Sequence, residues 1–136
     1  MRKILGLLCF TACGSNDPSL TLVDSQLRIT WEDNSVRPVE DQLTSIYDLF
    51  RTNIGEVRTE WEFYWVAEIN QHLYGATYLE TAYTEIMWTP EVCSSSFYHE
   101  LLHIWLYQEA GPSRRPYDGD PRHLNPLWQD LPACRE

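Results

Sequence analysis

An α+β fold, a small sheet packed on one long buried helix with an amphipathic helix upstream, is the architecture this 136-residue chain predicts. Three observations carry it. Residues 59–68 are dense in Trp, Phe, Tyr and Val, side chains that suit a pleated, half-buried surface, and residues 74–79 and 84–88 look similar. Val39, Leu43, Ile46, Tyr47 and Phe50 recur at helical spacing after Pro38. A further apolar run, residues 95–109, lies between three serines and a Gly111-Pro112 stop. The length suits one domain with one modest core.

The elements follow in order. Leu20 to Trp31 alternates loosely around Asp24-Ser25, as a strand pair does. The helix after Pro38 ends before Gly55, and the three aromatic segments complete a sheet expected to be mostly antiparallel. In the second helix Leu102, Trp105, Leu106 and Glu109 face away from His99 and His103, with Phe97, Leu101 and Ile104 on the flanks. The element is expected to be largely buried. Beyond Gly111 the Pro-rich, polar stretch to Pro121 reads as a loop, and His72 lies in a turn between strands as a surface residue.

The start of the chain reads as a targeting segment. Met1-Arg2-Lys3, the apolar run Ile4 to Phe10 and then Thr11-Ala12-Cys13 form a basic region, a short hydrophobic region and a small-residue cleavage site. Phe10-Thr11-Ala12-Cys13 resembles the lipobox of bacterial lipoproteins, although Phe10 stands where Leu is usual. The resemblance implies that residues 1–12 are removed, that Cys13 carries lipid, and that residues 13–19 tether a domain of residues 20–136 to the cell envelope. Gly14, not Asp, follows the cysteine, which implies the outer membrane in a Gram-negative host. An ordinary secretory signal cleaved nearby, or a buried apolar strand, is the alternative.

Cysteine usage agrees with export. Cys9 leaves with the signal and Cys13 is the lipid site, so Cys93 and Cys134 are the candidates for a disulfide. Such a bridge closes a loop of about 40 residues and stabilises by about 3 to 4 kcal/mol in the loop-entropy model. Two free or metal-binding thiols are the alternative. Without Arg2 and Lys3 the formal charge of −10 becomes about −12. That surface repels nucleic acid, and neither a Gly-rich phosphate loop nor a basic aromatic platform is present.

The chemistry concentrates in His99-Glu100-Leu101-Leu102-His103. A four-residue helical step turns about 400°, so the two imidazoles stand about 40° apart on one face, one turn from each other. Both can ligate one metal. Glu100 lies about 100° around the helix from His99, placed to hold an attacking water without being a ligand. The alternative is a pair of core histidines, whose burial beside a carboxylate is costly without a cation.

This motif, after a helix and a run of strands, resembles the zincin-like metallopeptidases, including minimal gluzincin and SprT-type domains. The resemblance covers about Thr84 through Trp128. It implies Zn2+, a peptide or protein substrate, Glu100 as general base, and a strand along the cleft, the place that Thr84-Glu85-Ile86-Met87-Trp88 occupies. A catalytic zinc site needs a third protein ligand. His123, twenty residues past His103, is the preferred candidate, as SprT-type proteins use a His there; Asp120 and Asp118 are alternatives as ligands or as groups orienting an imidazole. Tyr117 is a candidate oxyanion donor or a structural aromatic. Trp105 and Trp128 could line a pocket or pack in the core. A non-catalytic zinc-binding lipoprotein is the competing expectation, followed by a structural envelope protein without metal.

Overall fold

Five strands and two helices follow one another along the chain in the computed structural model, which describes residues 19–22, 25–69, 74–88 and 94–132. They are β1 (Ser19–Thr21), β2 (Leu27–Trp31), α1 (Glu40–Asn53), β3 (Trp61–Val66), β4 (Gly75–Tyr78), β5 (Tyr83–Met87) and α2 (Ser94–Glu109), with short 3-10 turns between some of them. The protein is thus a small α+β protein with a mixed sheet. The signal segment, Cys13, His72, Cys93 and Cys134 lie outside the described residues. Among those described, no helix is long and apolar enough to cross a membrane.

The expected elements form for local reasons. Acidic Glu40 and Asp41 sit in the first turn of α1 and Arg51 in the last, where each complements the helix dipole. Leu43, Ile46, Tyr47 and Phe50 form its buried stripe. The inward residues of β2 and β3, among them Leu27, Ile29, Phe63 and Trp65, meet the two helices in one core. Phe63 packs edge-on against Phe97 of α2 at 5.0 Å, and Phe50 of α1 against Tyr98 at 5.1 Å. Each large apolar side chain buried here contributes about 1.5 to 3 kcal/mol. In α2 the flank residues Phe97, Leu101 and Ile104 are as buried as Leu102, whereas Trp105 and Leu106 are only partly covered. The helix is therefore wrapped more widely than a single stripe.

The sheet corrects the expectation of mostly antiparallel pairing. Its order is β1-β2-β3-β5-β4. The β1/β2 and β4/β5 pairs are antiparallel, but β2/β3 and β3/β5 are parallel. A helix between two strands returns the chain to the end from which it started, and α1 does this between β2 and β3. The chain then runs to the sheet edge as β4, turns through Leu79–Thr81 and Ala82, whose φ is 53°, and comes back as β5 between β4 and β3. Residues 84–88, expected along the cleft, consequently lie mostly in an inner strand paired on both sides. The strand at this edge of the sheet is β4.

Candidate metal centre

Helix α2 carries three of the expected side chains on neighbouring turns. His99 and His103 are partly buried on its open face, and their rings lie 5.0 Å apart. His123 arrives from the loop after α2. Its Nε2 lies 3.1 Å from Nε2 of His99 and 3.1 Å from Nε2 of His103. The three imidazoles can each offer one ligand atom within 4.8 Å of the others. The structure therefore brings together His99, His103 and His123, the helical pair and the third histidine that the sequence proposed.

The loop is built to deliver His123. Asp120 and His123 both have left-handed backbone, φ 57° and 54°, a conformation that costs non-glycine residues roughly 1 kcal/mol or more. Asp120 offsets that cost. Its carboxylate accepts from Leu124 N at 3.0 Å, Asn125 N at 2.7 Å and Trp128 Nε1 at 2.6 Å. Desolvation pulls its pKa up, but these donors outweigh it and the pKa is lowered. Asp118 is occupied too, accepting from Arg115 N at 2.6 Å. Both acids thus organise the loop, while His123 points into the cluster.

Trp128 was one of two tryptophans whose place the sequence left open. Its ring lies 4.7 Å from His99, 4.5 Å from His103 and 4.5 Å from His123. Asn125 caps the 3-10 turn that carries it by accepting from Leu127 N. Trp105, by contrast, packs beside Gly55, where a Cβ would meet its Nε1 at 2.7 Å.

The protonation states suit metal binding. Nδ1 of His103 lies 2.6 Å from the Gly119 carbonyl, which can only accept, so Nδ1 carries the proton and Nε2 keeps a free lone pair. Gly119 fits closely there, since a Cβ would sit 2.6 Å from Leu79 Cδ1 and 3.2 Å from the His103 carbonyl. Desolvation, with the charges of His103 and His123, lowers the His99 pKa to about 4. Desolvation also lowers that of His103, against its bond to Gly119. The ring nitrogens of His99 and His103 converge with Nε2 of His123, an arrangement that a cation lying among them would satisfy. Three nitrogens of this kind fit the donor set of a zinc site with a position left open.

Glu100 is 5% exposed and packed against β4 rather than turned to solvent. Thr77 donates its hydroxyl to Oε2, and a Cβ on Gly75 would fall 2.5 Å from Oε1. Desolvation raises its pKa to about 7, with the Thr77 hydrogen bond opposing. A cleft of about 720 Å³ opens between β4, the turn after it and the histidines, with Glu100 in its lining. Tyr117 does not line it. The residue, the candidate oxyanion donor, sits in the 3-10 turn Pro116–Gly119 and is 61% exposed. Sequence reasoning missed Gly75 and Thr77; a glycine inside a strand was the available signal for a close approach.

No family model, curated protein or solved structure matches the chain.

Proposed function

We propose that the protein is a zinc-dependent hydrolase, a peptidase of the zincin type, in which His99, His103 and His123 hold the metal and Glu100 is the general base. The observation that carries the reading is the convergence of three imidazole nitrogens beside a buried carboxylate in one cleft. When bound, zinc supplies a Lewis acid for the scissile carbonyl and acidifies the attacking water. Glu100 takes a proton from that water and passes it to the leaving amine. Burial, which raises its pKa to about 7 in the metal-free protein, favours its taking up that proton. Among the described residues, backbone groups of β4 are paired on one side only and border the cleft, a fitting edge for an extended peptide.

The proposal places this domain outside the cytoplasm, anchored through lipid on Cys13, with a Cys93–Cys134 disulfide. A non-catalytic zinc-binding domain is the second reading. Trp128 against all three imidazoles favours it by narrowing the room for a water. Elemental analysis and peptide cleavage test the two together. One zinc per chain, absent in His103→Ala, and cleavage lost in Glu100→Gln with zinc kept, are the expected results. Zinc without cleavage of a varied peptide library selects the second reading, and no zinc after reconstitution overturns both.

A further inference from the structure

Behind Glu100 a file of hydrogen bonds crosses three strands. Trp61 of β3 donates its indole N–H to Thr84 Oγ1 of β5 at 2.9 Å. Thr84 Oγ1 lies 3.0 Å from Thr77 Oγ1 of β4, directly opposite in the antiparallel register. Thr77 then donates to Glu100 Oε2. Trp61 is 3% exposed, Thr84 0% and Glu100 5%, so water has little access to the inner bonds.

The chemistry of the end groups sets the direction. An indole nitrogen can only donate, and each hydroxyl has one proton to give. Thr84, receiving from Trp61, gives its proton to Thr77, and Thr77 gives its own to Glu100. Reversed, the string would leave the Thr84 proton without an acceptor among the described residues, a costly state for a fully buried hydroxyl. The Glu100 end is therefore held as an acceptor. Gly75 closes the other side, since its backbone lies against Oε1.

We infer that Trp61, Thr84 and Thr77 are positioning residues for Glu100, a one-way hydrogen-bond string that holds Oε2 of its carboxylate as a hydrogen-bond acceptor and so fixes the orientation of the group in the lining of the cleft. The inference rests on the proposed role of Glu100 as general base. A simpler packing role for the two threonines would need their shape but not the order of their protons. Valine keeps that shape and suits a strand, whereas serine keeps the hydroxyl.

Two measurements on the full chain test the string. In the zinc-free protein, the NMR resonance of the Trp61 indole N–H moves in Thr77→Val, although the two side chains share no hydrogen bond, and returns toward its original position in Thr77→Ser. An indole signal indifferent to Thr77→Val overturns the inference. In the zinc-loaded protein, Thr77→Val lowers kcat about 10- to 100-fold with KM and zinc content unchanged, the range typical of groups supporting a site's ligands. Thr77→Ser recovers most of kcat, and Trp61→Phe lowers kcat in the wild type but not on top of Thr77→Val. Additive losses, or equal losses in the Val and Ser variants, overturn it. An indole response in a chain that cleaves no peptide sustains the string and overturns the hydrolase reading alone.

Discussion

Glu100→Gln should stabilise the zinc-free domain at the pH where it abolishes hydrolysis. The carboxyl has a pKa of about 7 in the fold, raised by desolvation, against 4.5 as its ordinary value. Below pH 4.5 it is neutral in both states and the fold carries no penalty. Between 4.5 and about 7 the unfolded chain releases its proton first, so stability falls as pH rises. Above that window the full cost is present, on the order of 3 kcal/mol at 1.36 kcal/mol per pKa unit. Glutamine has no charge to bury, and its carbonyl can still accept from Thr77. The new amide N–H groups offset part of the gain, leaving about 2 kcal/mol. Urea unfolding in chelator, at intervals from pH 4 to pH 8, measures the gap between variant and wild type. The expected gap is small at pH 4 and widens to about 2 kcal/mol by pH 8. A gap that does not grow with pH refutes the claim that burial of this carboxylate strains the fold. Most substitutions of buried residues destabilise, so the sign alone is diagnostic.

Other perturbations address neighbouring parts of the site. His99 has its pKa lowered from 6.5 to about 4 by burial, so the unfolded state binds more protons in that interval and the zinc-free domain loses stability as pH falls from 6.5 towards 4. A His99→Asn variant should show a shallower acid loss in thermal unfolding, and an identical profile would reject the assignment. Gly75→Ala puts a Cβ 2.5 Å from Glu100 Oε1, so stability should drop by about 1 to 3 kcal/mol and cleavage should fall while zinc stays bound. Asp120→Asn weakens the hold on Trp128 and on the turn at His123, and zinc affinity measured by chelator competition should fall about 10- to 100-fold. Leu101→Ala, at a fully buried position of α2, should cost about 2 to 5 kcal/mol in urea unfolding.

Much of the candidate site was legible along the chain because its chemistry is local. Helical spacing alone sets His99 and His103 one turn apart, and a third histidine within a loop's reach was the natural partner. The periodicity of residues 39–50 and the aromatic density of residues 59–68 likewise identify elements, since burying one face imposes period 3.6 or 2 on the sequence itself. Strand order has no such trace. That α1 makes β2 and β3 parallel was open to a reader who weighed the helix between them, but the insertion of β5 inside β4 depends on pairings over long separations. The supports of the site depend on the same step. Thr77 and Thr84 are unremarkable in a strand until register sets them opposite each other, and Gly75 matters only because Glu100 packs on it. The left-handed turns at Asp120 and His123 are of this kind, held by bonds to Leu124, Asn125 and Trp128. Residue types and spacing decide which groups can do chemistry; register and loop closure decide which of them meet, because contacts between distant segments leave no period for a single chain to display.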